Sequence, residues 1–211
     1  MSCLATEPTR KNRGIQVLVN LAGAASAAWF ARDSLTYYLH THRLVGALFV
    51  VEQTWFVMAF LVRHSARTVD QRLRSWLVAA GGTFGGLLLR PAGIHPIWGV
   101  RAGTILQIAG LVVVIAALAV LGRSFGFLAA DRGVVTRGPY GVVRHPVYAG
   151  YLVILVGYVL QAVSWRNVVV VLAVTGCNVG RALAEERVLS ASASYDRYRE
   201  RVRWRLLPRV W

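Results

Sequence analysis

Acidic residues are scarce in this chain: 9 Asp+Glu stand against 24 Lys+Arg in 211 residues, and charged residues of both signs reach only 16%. An ordinary soluble domain carries about 25% charged residues, so the shortfall argues against a soluble fold. Cysteine is scarcer still, with Cys3 in the polar N-terminal stretch and Cys177 inside an apolar run. Two thiols so placed exclude a disulfide framework and give no metal cluster. Nor does His145 have a His or Cys partner at metal-ligand spacing. No internal repeat is long enough for an inverted-repeat transporter. A small-residue cleavage site is missing behind the first apolar run, which opens near Ile15 and is expected to stay as an anchor.

What the chain has in abundance is apolar surface. Hydrophobic residues make up 56% and the mean hydropathy is +0.50. They gather into runs at residues 15–31, 44–62, 75–89, 102–122, 147–163 and 167–183. A bilayer-spanning helix needs about 20 apolar residues, with a lower limit near 17. The expected fold is therefore an all-α integral membrane protein with about five to six transmembrane helices. Runs 75–89 and 147–163 are the weakest as independent spans, and 147–183 would also suit a hairpin that does not fully cross.

The net charge of +15 does not point to nucleic acid, because the arginines lie between apolar runs and no recognition motif accompanies them. They report topology instead. With both termini in the cytoplasm and six crossings, 19 of the Lys+Arg residues fall inside and 5 outside. That bias fits the positive-inside rule, and the basic loops suit anionic lipid head groups. In the third run, Gly81, Gly82, Gly85 and Gly86 form overlapping small-xxx-small pairs that suit close helix packing. Pro91, Gly93 and Pro96 mark a tight loop.

Two polar clusters stand at the edges of apolar runs, where idle polar groups are costly. The first runs from Thr136 to Tyr148. Gly138-Pro139 sets a turn, and Pro146 suits the first turn of a helix. His145 and Tyr148 then share a helix face, and amides at the new N-terminus are expected to be free for a carboxylate. The second cluster is Asn178 to Arg187, in which Arg181 and Glu185 stand at i, i+4 and can pair. A carboxylate here can receive an ammonium or ribose hydroxyls, and the arginine an anionic substrate. Beyond Leu189, Tyr195, Tyr198, Trp204 and Trp211 among arginines suit an interfacial helix or the cap of a site.

Taken together, Gly138-Pro139-Tyr140, Val143-Arg144-His145-Pro146-x-Tyr148-x-Gly150, Arg181-xxx-Glu185-Glu186-xx-Leu189 and Tyr195-xx-Tyr198-xxx-Val202-xx-Arg205-xx-Pro208 resemble the isoprenylcysteine carboxyl methyltransferase family of integral-membrane enzymes. The resemblance covers about residues 120–208. It divides the chain into a basic cytoplasmic tail (1–14), N-terminal transmembrane helices (15–122) and a catalytic region (123–211) ending in an interfacial helix.

The resemblance implies an S-adenosylmethionine-dependent methyltransferase with a cytoplasm-facing cofactor pocket, capped by the C-terminal segment and open to a lipophilic or lipidated acceptor. By it, a strand-like Arg132-Gly133-Val134-Val135 meets the cofactor through its backbone. Tyr140, His145, Pro146, Val147 and Tyr148 line the cofactor, and Glu185 binds its polar end. Arg181 orients the acceptor, an isoprenylcysteine-like carboxylate in the best-known family reaction. Chemistry alone adds that an amine or thiol acceptor needs its proton removed, with Glu186 and His145 as the candidate bases. Arg132 stands where the family often has His, Phe125 where a polar cofactor contact can fall, and residues 190–194 are shorter than the usual segment, so acceptor identity does not transfer. Phospholipid and thiol methyltransferases, NADPH-dependent sterol reductases of similar architecture, and a non-catalytic membrane protein remain as alternatives. Oligomeric state is left open.

Overall fold

The computed structural model describes residues 10–42, 44–62, 68–70, 72–90, 93–124, 130–131 and 134–211. Its elements are α1 (Arg10–Thr41), α2 (Leu44–Val62), β1 (Thr68–Val69), α3 (Leu73–Phe84), α4 (Ile97–Leu121), β2 (Ala130–Asp131), α5 (Pro146–Gln161), α6 (Trp165–Leu189) and α7 (Ala193–Arg201). The strands form one short antiparallel pair, Thr68 opposite Asp131 and Val69 opposite Ala130. Among the described residues, α2, α4 and α6 are long and apolar enough to cross a membrane. Outward-facing Ile105 and Leu172, each 66% exposed, belong to an apolar surface that suits lipid rather than water. The chain is a helical integral membrane protein.

Each apolar run of the sequence becomes a helix, with shifted ends. α1 starts at Arg10, ahead of the apolar run. The two weakest runs give the two shortest bundle helices: α3 has 12 residues and passes into a 3-10 turn at Gly85–Leu88, and α5 has 16. α5 opens on Pro146 as expected, because proline has no amide hydrogen to lose in a first turn.

Glycines set how closely the helices pack. α4 and α5 run antiparallel with backbones in contact: a Cβ on Gly110 would lie 2.7 Å from the Gly150 carbonyl oxygen, and one on Gly157 would lie 2.7 Å from that of Gly103. Only a residue without a side chain fits between them. α3 meets α6 in the same way, with Gly81 against Cys177, Gly82 against Asn178 and Gly85 against Val174. The α4–α5 seam continues into an apolar core of Leu111, Val114, Leu118 and Ile154, against which Phe49, Phe56 and Tyr151 pack.

The connections sort to two ends of the bundle. At one end, Asn167 is fully buried and tied to Arg90 and Ala162: its Nδ2 donates to both carbonyls, and its Oδ1 accepts from the Arg90 amide. At the other end lie the strand pair, the Gly138–Gly141 turn, the start of α5, the end of α6 and α7. That second end carries both polar clusters.

Candidate active site

The Gly138–Gly141 turn holds its first residue at φ 59°, a backbone conformation that glycine adopts without strain. The chain then enters α5 through Arg144 and His145, both buried. Across from them the last two turns of α6 present Arg181, Glu185 and Glu186. Residues some forty positions apart thus meet directly.

Glu186 is the hub. Its Oε1 accepts from Arg144 Nη1 at 2.8 Å and contacts His145 Nε2 at 3.2 Å, while Arg205 Nε lies 3.1 Å from its Oε2. Arg144 Nη2 also donates to the Arg203 carbonyl at 3.0 Å. Glu185 takes the other side of the imidazole, with Oε2 3.6 Å from His145 Nδ1, and accepts from the Tyr148 hydroxyl through Oε1. Both ring nitrogens of His145 therefore face carboxylates, which suits an imidazolium donating in two directions. Burial would lower its pKa, but the contacts and charges of Glu185 and Glu186 outweigh burial and raise it above the ordinary value of 6.5.

The C-terminal segment is built into this site. Arg144 and His145 donate backbone hydrogen bonds to the carbonyls of Trp204 (2.8 Å) and Arg205 (2.9 Å), so those amides serve the fold and are not free for an anion. The Tyr198 hydroxyl donates to the Tyr140 carbonyl at 2.8 Å. Tyr195 and Tyr198 are buried with Val202 against Val134 and Leu189. α7 therefore turns its two tyrosines into the protein and caps the site.

One cavity of about 1220 Å³ opens beside this network and runs from Tyr195, Tyr198 and Tyr140 past His145, Tyr148, Arg181 and Glu185 toward the α1–α2 hairpin. It exceeds the roughly 300–1,000 Å³ that holds one small ligand, leaving space for a second apolar molecule.

The expected site residues fall as follows. Tyr140, His145, Val147, Tyr148, Arg181, Glu185, Val134 and Val135 line the cavity. Val134 and Val135 lie outside strand β2, and Arg132, Gly133 and Phe125 lie outside the described residues. Pro146 is fully buried in the first turn of α5. Glu186 borders a smaller depression with Arg74, Leu183, Arg187, Ser190, Arg199 and Arg205. Arg181 stands with its guanidinium 5.3 Å over the Tyr148 ring, donates to Thr83 at 3.2 Å, and lies near enough for its charge to act on Glu185.

Sequence reasoning missed Glu52 and Tyr151. Glu52 lies mid-way along α2, fully buried in the cavity wall, and accepts from the Tyr151 hydroxyl at 2.6 Å. The signal was available, for Glu52 is the lone charged residue in the run 44–62.

The donor set suits a sulfonium nucleoside with an amino-acid tail. Arg144 and the Tyr195 hydroxyl are buried against each other in the wall of the cavity, where together they can serve a carboxylate. Glu185 can accept from an ammonium or from ribose hydroxyls.

Residues 98–193 match the model of the family described as phospholipid methyltransferase. This is the same family of integral-membrane methyltransferases as the isoprenylcysteine carboxyl methyltransferases that the two motifs resemble. The matched stretch holds α4, α5 and α6 with both polar clusters, somewhat under half of the chain. No curated protein matches the chain at a significant level. The match supports a membrane methyltransferase and leaves the acceptor open.

Proposed function

We propose, taking the phospholipid methyltransferase match of residues 98–193 as premise, that this chain transfers the methyl group of S-adenosylmethionine to a lipophilic acceptor held in the same cavity. What supports the reading most is the meeting of the two motifs around one cavity, with His145 between Glu185 and Glu186 and the C-terminal segment pinned over them.

The division of labour follows from what each residue touches. Glu185, oriented by Tyr148, receives the cationic or hydroxylated part of the cofactor. Arg144 and Tyr195, side by side in the wall, receive its carboxylate. Glu186 is a positioning residue that fixes Arg144, His145 and Arg205, and so the cap. Arg181, on the face of Tyr148, orients an anionic portion of the acceptor. The cofactor supplies an activated methyl group on sulfur, so the protein's part is to align the acceptor at about 3–3.5 Å and keep water out. The arginine-rich loops at this end of the bundle support a cytoplasmic orientation. Five to six crossings are consistent with the helix count, α3 and α5 being the short members.

Calorimetric titration of the detergent-purified protein with S-adenosylhomocysteine tests this. Saturable binding is expected in the wild type and in Arg181→Ala, and its loss in Glu185→Ala. Binding that survives Glu185→Ala, or that Arg181→Ala removes, overturns the role assignment. Binding of NADPH in place of S-adenosylhomocysteine would move the protein to the reductases.

A further inference from the structure

The smaller depression beside Glu186 has no part in methyl transfer, yet it gathers cations from four separate elements. Arg74 comes from the start of α3, Arg187 from the end of α6, Arg199 from α7 and Arg205 from the C-terminal segment. The α3–α6 seam sets the first two together. Gly81 meets Cys177, Gly85 meets Val174 and Val78 meets Gly180, so the two helices run antiparallel and Arg74 arrives beside the turn of Glu186 and Arg187. The backbone pairing of residues 144–145 with 204–205 folds the C-terminal segment back and adds the other two. Arg144 lines the large cavity and Glu186 the depression, so their ion pair stands between the two.

Four guanidinium groups around one hollow repel one another, and the carboxylates near them are already committed. Glu186 serves Arg144, His145 and Arg205. Asp70, which feels the charge of Arg187, accepts from Ser75 Oγ at 2.6 Å and from the Arg72 amide at 3.1 Å. Asp196 lies 3.8 Å from Arg199. Among the described residues, no salt bridge joins Arg74 or Arg187 to a carboxylate, and Arg187 Nε turns back to the Leu183 carbonyl. An anion completes such a set, whereas a head-group ammonium would find no open acceptor. The edge of the hollow is apolar. Leu73 and Leu77, flanking Arg74, are 73% and 62% exposed, and Arg205 stacks on Trp211 at 5.1 Å. Exposed leucines beside arginines suit acyl chains under a charged head group, and a phosphate free in solution has no use for them.

We propose that this depression binds the phosphate of an anionic phospholipid from the adjoining leaflet and so holds the cap closed. The bound phosphate joins Arg74 and Arg187, which belong to the helix bundle, to Arg199 and Arg205, which belong to the capping segment. The lipid is a regulator at a site apart from the large cavity, and its binding needs no cofactor.

The test is amide hydrogen exchange of the full chain in nanodiscs of phosphatidylcholine alone, of phosphatidylcholine mixed with phosphatidylglycerol, and of phosphatidylcholine with inorganic phosphate in the buffer. No cofactor is added, so the result is independent of the methyltransferase reading. In the mixed nanodiscs the amides of residues 193–206 should exchange about tenfold more slowly, the scale of one charge-assisted hydrogen bond between cap and bundle. Inorganic phosphate should leave them unchanged. Arg74→Gln and Arg187→Gln each remove a charge at an exposed position, where folding is not at risk, and each should take away most of the slowing. Arg201→Gln, exposed on α7 but outside the depression, removes the same charge and should keep it. A cap that phosphatidylglycerol does not slow overturns the proposal. So does slowing that survives both Arg74→Gln and Arg187→Gln, slowing that Arg201→Gln removes equally, or slowing that inorganic phosphate reproduces.

Discussion

Replacing Glu186 with alanine should damage this protein more than any other single carboxylate removal at the cofactor end. Arg144, 6% exposed at its side chain, would keep only neutral partners, the Arg203 carbonyl and the Tyr195 hydroxyl. Removing one partner of a buried ion pair costs about 3–5 kcal/mol, because the remaining charge stays buried. Arg205, 31% exposed at its side chain, loses much less, about 1 kcal/mol or under. The Glu186→Ala loss should therefore be close to the Arg144 figure, about 3–5 kcal/mol, and Arg205→Ala should cost only a fraction of it. Equilibrium unfolding in mixed micelles, followed by tryptophan fluorescence, measures both. A double variant, Arg144→Met with Glu186→Leu, should recover much of the loss by removing both charges together. A Glu186→Ala protein within about 0.5 kcal/mol of wild type would refute the account, since a change that small belongs to an exposed site.

Two further outcomes follow from packing and charge. Gly157→Val drives a side chain into the α4 backbone and should cost about 1–3 kcal/mol, measured as a lower thermal unfolding midpoint, whereas Gly86→Ala, which meets nothing within 4 Å, should be near neutral. His145 has a folded pKa raised above 6.5, so the stability it contributes is fully present below pH 6.5 and is lost as pH rises through the raised value. Unfolding free energy measured between pH 6 and 9 should fall through that window, and His145→Gln should flatten it.

The helices and the place of the candidate site were legible because both leave local marks. Continuous apolar runs gave the helices, Pro146 gave the start of α5, and two polar clusters beside apolar runs gave the site. What local pattern does not carry is which residue meets which. The i, i+4 spacing put Arg181 and Glu185 on one helix face, but it could not show the Tyr148 ring that the fold lays against the arginine, with its hydroxyl donating to the carboxylate. Tyr195 and Tyr198 look like interfacial anchors in sequence, and only the backbone pairing of residues 144–145 with 204–205 shows why they face inward. The glycines of α3 announced packing by their density, whereas Gly103, Gly110, Gly150 and Gly157 are spread over two helices and form a seam only once α4 and α5 lie antiparallel. Glu52 was readable as a lone acid in an apolar run, but its meaning depends on Tyr151, 99 residues away.

The most direct test of the central claim is transfer of tritium from methyl-labelled S-adenosylmethionine into the chloroform-soluble fraction of a membrane lipid extract by the purified protein. The account predicts label that accumulates with time and protein, and that disappears with Glu185→Ala. Folded wild-type protein that leaves the lipid fraction unlabelled, or labels it equally well after Glu185→Ala, would contradict it.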